Sequence, residues 1–210
     1  MDIINKLEWR YATKKFDDTK QLTSEKVDII KNAFNLTATS FGLQTLKLLV
    51  ISNKELQAKL LPHAYNQQQI VQASHVLVLC IQDEIDSNDV DTHFKNVIEI
   101  RHTDPKILAP FKTQLKDTIQ KMSISEQQQW STKQAYIALG NLMTVCAVEN
   151  IDACPMEGFI PSQFDDVLNL KAQKLKSVLL LPIGYRSEDD MFSTLKKVRK
   201  SVNDTVIEFN

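Results

Sequence analysis

Four cations near the two ends of the chain have side chains suited to binding an anionic ligand. Arg10 and Lys14 share one short segment, and Lys197 and Arg199 share another. Arginine can offer a phosphate a two-pronged contact and lysine a point charge, so a dianionic phosphate would explain drawing these residues together. Isolated Lys and Arg residues are usually solvated surface charges, and these four taken alone favour that role.

The four glycines exclude the phosphate-binding loops that depend on glycine. Gly42, Gly140, Gly158 and Gly184 are too far apart to form G-x-G-x-x-G or G-x-x-x-x-G-K-[ST]. A phosphate-bearing cofactor would therefore be held by side-chain cations and not by a glycine-rich backbone cradle.

Composition limits the possible partners and the location of the chain. Its 210 residues are 43% hydrophobic and 24% charged, with a formal net charge of -1, so it lacks the excess of Lys and Arg expected for nucleic-acid binding. The longest apolar runs fall far short of the roughly 20 residues that cross a bilayer. The first residues lack a basic segment followed by an apolar run, so no signal peptide is predicted. We expect one domain over residues 1–210, in the cytoplasm, with neither membrane nor nucleic acid as a partner.

Cysteines, histidines and carboxylate clusters are assigned no chemistry. The three cysteines show no C-x-x-C spacing and are predicted to be packing residues: Cys80, Cys146 and Cys154. The four histidines lack metal-binding spacing, so no metal site is predicted: His63, His75, His93 and His102. The clusters at 165–166 and 188–190 fall at expected helix starts or loops, where solvation or the helix dipole would explain them.

Hydrophobic periodicity predicts an α+β fold. Strands are expected at 46–52, 75–82 and 177–185, and the continuous apolar character of the last predicts a sheet covered on both faces. Helices are expected at 2–11, 23–39, 55–61, 68–73, 161–169 and most of 88–150, with breaks near 103–105 and 122–123.

Gly140 and the C-terminal tail are each expected to make a close contact. Gly140 lies inside the long helix that precedes residue 150, where glycine costs roughly 1 kcal/mol relative to alanine, so another backbone is expected to approach it. The polar tail from Arg186 has little core of its own and is expected to become ordered on a partner subunit.

Three segments far apart in the chain carry a family resemblance: R-Y-A-T-K-K-F-D at 10–17, P-M-E-G-F at 155–159 and L-K-K-V-R at 195–199. Two further motifs fit the same order, N-x-x-x-x-x-x-A-S-H-V at 66–76 and W-x-x-K-Q-A-Y at 130–136. Together they resemble the FMN-dependent nitroreductase family over nearly the whole chain. The resemblance implies a central, mostly antiparallel sheet flanked by helices, and a C-terminal tail exchanged in a homodimer.

The resemblance also implies an FMN site at the subunit interface. Arg10, Ala12, Lys197 and Arg199 would surround the phosphate, with Ala12 contributing only its backbone amide. The full set of implied cofactor-binding residues is Arg10, Tyr11, Ala12, Lys14, Thr39, Ser40, Asn66, Gln69, Pro155, Met156, Glu157, Gly158, Lys197 and Arg199.

Individual roles follow from the same resemblance. Lys14 and Asn66 would lie at the pyrimidine edge of the flavin, and the backbone of Glu157 and Gly158 would lie against its N5 atom. Thr39 and Ser40 would reach the cofactor from the second subunit. Two aromatic residues either line the mouth of a substrate pocket or pack in the core: Phe41 and Tyr65.

The implied reaction depends on the cofactor, and no side chain is expected to be a catalytic acid or base. NAD(P)H would reduce FMN, and a nitroaromatic, quinone or free flavin would then take the electrons at the same site. Lys14 would give electrostatic support. Two alternatives stay open: a reductase of one metabolite, such as a dihydropteridine or an enone, and a non-catalytic flavin-binding protein.

The chain departs from the family pattern at residues expected beside the flavin ring and at the edge of the substrate pocket. Gln69 replaces a lysine found in many relatives, which predicts a lower, more reducing flavin potential. Gln44-Thr45-Leu46 replaces Q-P-W, and Phe41-Gly42 replaces a more polar pair, so the family's substrate preferences do not transfer. No motif is recognised that would bind the ribose 2′ position, where NADH and NADPH differ. The sequence therefore does not predict which of the two is the electron donor.

Overall fold

A four-stranded antiparallel sheet forms the centre of the computed structural model, which describes residues 2–209. The strands are β1 (Leu46–Ile51), β2 (His75–Gln82), β3 (Asp152–Ala153) and β4 (Leu175–Gly184). Their order is β1-β2-β4-β3, with Leu48 opposite Leu79 and Leu77 opposite Leu181. The described part of the chain gives β1 a partner on one side only, so its other edge is free.

Helices flank the sheet and supply most of the remaining structure. They are α1 (Ile3–Trp9), α2 (Ser24–Asn35), α3 (Lys54–Leu60), α4 (Gln69–Gln72), α5 (Ser87–Arg101), α6 (Pro105–Lys121), α7 (Ile124–Val148), α8 (Pro161–Val167) and α9 (Val202–Thr205). Short 3₁₀ turns occur at Ser40–Gly42, Leu61–Ala64, Lys171–Gln173 and Met191–Thr194. Within residues 2–209, no helix is both long enough and apolar enough to cross a membrane.

Both faces of the sheet are covered, which explains the continuous apolar strands. Successive strand side chains point to opposite faces. Along β2, Leu77 and Leu79 therefore pack with α2 and α7, whereas Val76 and Val78 pack on the other side with Phe164 of α8 and neighbouring residues. The prediction of an α+β fold with an antiparallel sheet flanked by helices is confirmed.

Local signals indicate the helix starts better than the helix ends. Asp2 and Thr23 cap α1 and α2 by accepting hydrogen bonds from Ile4 N (2.9 Å) and Lys26 N (3.4 Å), as their sequences predict. Helix α2 ends at Asn35, four residues before the expected end, because the chain then forms a separate turn.

Another backbone was predicted to approach Gly140, and among the described residues of this chain none does. A β-carbon placed on this residue of α7 would meet no atom within 4 Å among the described residues. The helix buries a different side, formed by residues such as Ala135, Ala138 and Leu142. Gly140 therefore lies on a part of α7 that its own chain does not cover.

Candidate cofactor site

A cleft of about 280 Å³ lies where the two ends of the chain meet. One wall is the end of α1 and the segment after it, with Arg10, Tyr11 and Ala12. The other wall is the C-terminal tail, with Lys197 and Arg199. The structure thus brings the first and third motifs together.

Lys197 attaches the tail to helix α1. Its Nζ donates hydrogen bonds to the carbonyl oxygens of Leu7, at 2.8 Å, and of Arg10. A cation is favoured at a helix C-terminus, where carbonyl groups lack partners within the helix. Burial, followed by the positive charges of Arg10 and Arg199, lowers the pKa of Lys197. An ammonium group carries three protons, so one is left for a further acceptor.

The cations of the cleft form no salt bridges among the described residues, although the carboxylate of Glu8 also lines the cleft. Arg10, Lys197 and Arg199 take part in none of the salt bridges formed among residues 2–209. The Arg199 guanidinium donates to the carbonyl oxygen of Val198, at 2.6 Å, and to no other described residue. With Lys196, the cleft is lined by four cations and one carboxylate, so its net positive charge favours binding of an anion.

The segment after α1 lies beside β3 and so adjoins the second motif. Ala12 pairs in parallel with Ala153, and Thr13 N donates to Ala153 O at 3.2 Å. Pro155 borders the same small gap as Arg10. The first two motifs, which are separated by about 140 residues of chain, are therefore neighbours.

Met156 attaches the second motif to the sheet. Met156 N donates to Leu180 O at 2.9 Å, and Leu180 N donates to Met156 O at 3.0 Å. The next two residues, Glu157 and Gly158, lie beyond this pairing. Neither of their N–H groups donates a hydrogen bond within residues 2–209. Two adjacent N–H groups are thus available to an acceptor atom of a ligand.

Asn66 lies in the segment that packs against Gly158. The side-chain Nε2 of Gln67 donates to Gly158 O at 2.7 Å. Tyr65 and Asn66 both have left-handed backbones, with φ of 54° and 57°. The side-chain amide of Asn66 makes no hydrogen bond in the described part of the chain. The backbone carbonyl oxygen of Asn66 accepts one from the side chain of Gln68. Asn66 therefore has polar atoms free beside the second motif.

Lys14 and Gln69 lie apart from the cleft. Lys14 follows Thr13, whose N–H donates to Ala153 O, so its backbone lies near the start of the second motif. Burial raises the pKa of Cys154, and the positive charge of Lys14 opposes that rise. The role of Lys14 at the ring edge stays a prediction. Gln69 starts α4 and is only 7% exposed.

Helix α7 contacts Ser40 and the second motif through residues of its own motif at 130–136. Ser40 N donates to Gln134 Oε1 at 2.9 Å, and the Tyr136 hydroxyl donates to Glu157 Oε1 at 2.6 Å. Thr39 lines a groove beside β1. Neither Thr39 nor Ser40 lines the cleft at Arg10, so one chain does not complete the implied set.

Phe41 and Tyr65 are not core residues, because they are 47% and 63% exposed. The Phe41 ring lies 6.2 Å from that of Phe111 and 6.1 Å from that of Trp130. Phe41 has a φ of 57°, a left-handed conformation that costs a residue with a β-carbon about 1–2 kcal/mol. The role of both residues at a substrate pocket stays a prediction.

The carboxylates at 188–190 were expected at a helix start or loop, either solvated or near a helix dipole; Asp190 does start a short helical turn, Met191–Thr194, but it is not solvated. This residue is 3% exposed and accepts hydrogen bonds from Tyr11, Lys14, Lys15 and Phe192. No sequence signal separates it from its exposed neighbours, because most of its partners come from the opposite end of the chain.

Arg186 is a second residue that sequence reasoning did not identify. Its guanidinium lies between the rings of Trp9 and Tyr11, 4.2 Å and 4.6 Å from their centroids. It also forms a salt bridge with Asp152, at 2.6 Å. This stack fixes the position of Tyr11 beside the cleft.

Comparison with protein families gives one match that covers most of the chain. The model of the nitroreductase family matches residues 7–185. A curated oxygen-insensitive NAD(P)H nitroreductase of Salmonella typhimurium is 29% identical over 220 residues, covering 99% of this chain and 100% of the relative.

Solved structures share the fold at lower sequence identity. A nitroreductase structure from Bacillus subtilis has a TM-score of 0.87 at 17% identity and covers 98% of each chain. A nitroreductase from Exiguobacterium sibiricum in complex with FMN has a TM-score of 0.84 at 19% identity, covering 100% of this chain and 98% of that one.

Proposed function

This chain belongs to the nitroreductase family, and on that premise we propose that it carries electrons from NAD(P)H through bound FMN to a nitroaromatic, a quinone or free flavin. The cofactor would bind between two subunits, and donor and acceptor would use one site in turn. The observation that carries the proposal is the cleft in which Arg10 meets Lys197 and Arg199.

The residues present fit FMN in type and position. Three cations without carboxylate partners in the described part of the chain suit its phosphate, which no glycine-rich loop of this chain could hold. The free N–H groups of Glu157 and Gly158 suit an acceptor atom such as flavin N5. Both features flank the segment 10–14, so one extended cofactor could reach from the cleft to the second motif.

FMN supplies the redox chemistry, because its ring can take a hydride from NAD(P)H and release electrons to an acceptor. The chain binds and orients that ring. Lys14, near the start of the second motif, would place a positive charge beside the reduced ring, which is negative. The exposed rings of Phe41 and Tyr65 offer apolar surface to an aromatic acceptor.

Excess exposed surface supports the homodimer. A compact monomer of 24.0 kDa should expose roughly 9,900 Å², whereas this chain exposes 12596 Å², about a quarter more. Exposed apolar residues concentrate in the tail, at Leu195, Val198, Val202, Val206, Ile207 and Phe209. A second copy of the chain that covers this tail would remove much of the excess.

The free edge of β1 is our proposed place for the exchanged tail. A groove of about 460 Å³ runs between α2 and β1, lined by apolar residues that include Phe34, Leu46 and Leu48. Residues 206–209 follow α9 without helix, and Val206 has extended backbone angles, so they could add to an unpaired strand edge. Thr39 lines the same groove, which would bring the second chain against the loop carrying Thr39 and Ser40.

The first experiment is an absorption spectrum of the purified protein before and after anaerobic addition of NADH or NADPH. We expect bands of bound oxidised flavin that bleach on addition, and the faster donor identifies the preferred nucleotide. A protein that takes up no FMN would refute the proposal. A protein whose bound FMN stays oxidised would favour the non-catalytic flavin-binding alternative.

An anaerobic panel of acceptors then separates the two catalytic hypotheses. Similar rates with nitroaromatics, quinones and free flavin would support a broad reductase. A kcat/KM that is at least a hundredfold higher for one dihydropteridine or enone would instead identify a metabolite reductase. An NAD(P)H-fed enzyme of this kind is expected in the cytoplasm, where its donor is regenerated.

A further inference from the structure

We propose that Asp190 is a positioning residue that holds the two walls of the cleft in register for the cofactor phosphate. The inference rests on the proposed function, because it concerns the same cleft. Asp190 itself does not line the cleft and would not touch the cofactor.

One oxygen of Asp190 holds the N-terminal wall. Its Oδ2 accepts hydrogen bonds from the Tyr11 hydroxyl at 2.8 Å, from Lys14 N at 2.9 Å and from Lys15 N at 3.1 Å. These donors follow Arg10 closely in the chain. The carboxylate thereby fixes the backbone that carries Arg10 and Lys14.

The other oxygen holds the C-terminal wall. Oδ1 accepts from Phe192 N at 3.0 Å and so starts the short turn Met191–Thr194. Phe192 lines the cleft, and Lys197 and Arg199 follow it within seven residues. One buried side chain, 3% exposed, therefore bonds both walls, in addition to the bonds of Lys197 to α1 and Arg10.

Asp190 is held as a carboxylate by these donors. Burial raises its pKa, but the hydrogen bonds from Lys14, Phe192, Tyr11 and Lys15 together bring the pKa below its usual value. Among residues 2–209 no Lys or Arg side chain forms a salt bridge with it. Its charge thus serves to orient backbone N–H groups and one hydroxyl.

An amide cannot replace this carboxylate. In Asp190→Asn, an NH₂ group takes the place of one oxygen. Placed at the Oδ2 position it would face the N–H groups of Lys14 and Lys15, and placed at Oδ1 it would face that of Phe192. Either orientation sets donor against donor and releases one wall.

The test compares FMN with riboflavin, which has the same ring without the phosphate. Dissociation constants of both flavins would be measured by fluorescence for the wild type, Asp190→Asn and Asp189→Asn. Asp189 is the matched control because it is an adjacent exposed carboxylate whose side chain pairs with Lys15 and Ser187 at the surface. We expect Asp190→Asn to weaken FMN binding about tenfold or more, with riboflavin changed less than about threefold and Asp189→Asn unchanged for both.

Other outcomes overturn the inference. Equal weakening of FMN and riboflavin would mean that Asp190 acts through the fold or through Lys14 at the ring, and not on the phosphate cleft in particular. Unchanged FMN binding would mean that it does not position the cleft. A wild type that binds neither flavin would refute both this inference and the proposed function. If Asp190→Asn does not fold, Asp190→Glu keeps the carboxylate but moves its oxygens by one CH₂ group, and should give a smaller loss confined to FMN; no such loss would refute the inference.

Discussion

Arg199 and Lys197 are two residues apart but use their charges differently. Lys197 donates two hydrogen bonds to carbonyl oxygens of α1 and the residue after it, whereas the Arg199 guanidinium donates to Val198 O. Lys197 thus attaches the tail as well as lining the cleft. Arg199 is the cation whose removal should disturb the ligand site with the least effect on structure.

We expect Arg199→Gln to weaken FMN binding about tenfold, because it removes one charge-assisted contact to the phosphate. Riboflavin binding should be unchanged. Titration of both flavins checks this, with Lys200→Gln as the control because Lys200 is adjacent and does not line the cleft. Equal FMN affinity in Arg199→Gln and the wild type would remove Arg199 from the site.

Gln69 offers a test of the missing cation at the flavin edge. A lysine at this position would add positive charge near the ring and stabilise its reduced, negative form. We expect Gln69→Lys to raise the midpoint potential of bound FMN by roughly 30 mV or more, equivalent to about 1.4 kcal/mol for a two-electron couple. Gln69→Met, a neutral side chain of similar length, is the control. An unchanged or lower potential in Gln69→Lys, measured by dye equilibration, contradicts the role given to Gln69.

At the scale of elements, α7 buries one side against its own chain. No contact with the described part of that chain explains the glycine at position 140 of the same helix. No described atom lies within 4 Å of the point that a β-carbon on Gly140 would occupy, and Tyr136 and Ile137 on the preceding turn are 45% and 50% exposed. Glycine destabilises a helix interior relative to alanine, so its presence at an uncovered position favours contact with a second chain.

We therefore expect Gly140→Ala to weaken dimerisation, because an added methyl group would meet the partner's backbone. Sedimentation equilibrium or mass photometry at several concentrations measures the dissociation constant. Gln129→Ala, on an exposed turn near the start of α7, is the control. A dimer of unchanged affinity, together with a gain of about 0.5–1 kcal/mol in unfolding free energy, would place Gly140 outside the interface.

Helices and strands that are determined by neighbouring residues could be predicted from the sequence. Contacts between segments far apart in the chain could not. The cap residues Asp2 and Thr23 and the apolar run of β2 signal their structures through neighbouring residues. The two-residue strand β3 has no such signal, because its pairing with β4 defines it. The burial of Asp190 was not predicted for the same reason, because it depends on contacts with residues 11–15.

At the scale of the whole molecule, the tail is both a wall of the cleft and the main exposed apolar surface. We expect a chain ending at Thr194 to lose FMN binding and dimerisation together, since it lacks Lys197, Arg199 and the residues proposed to cover the second copy. A chain ending at Thr205 keeps both cations and lacks only the proposed added strand. It should dimerise more weakly, and at concentrations where it is dimeric it should still bind FMN.

Gel filtration and flavin titration of the two shortened chains check this expectation. Full dimerisation of the chain that ends at Thr194 would refute the exchanged tail. Flavin binding by that chain with wild-type affinity would refute the cleft as the phosphate site.

The distance along the chain between Arg10 and Lys197 has a consequence for biosynthesis. The ribosome makes the N-terminal wall of the cleft first and reaches Lys197 of the C-terminal wall only after all four strands of the sheet. The sheet can therefore form before the cleft is complete, because β4 ends at Gly184. If the cleft holds the phosphate, a chain that stops between Gly184 and Lys197 would fold its strands and stay colourless.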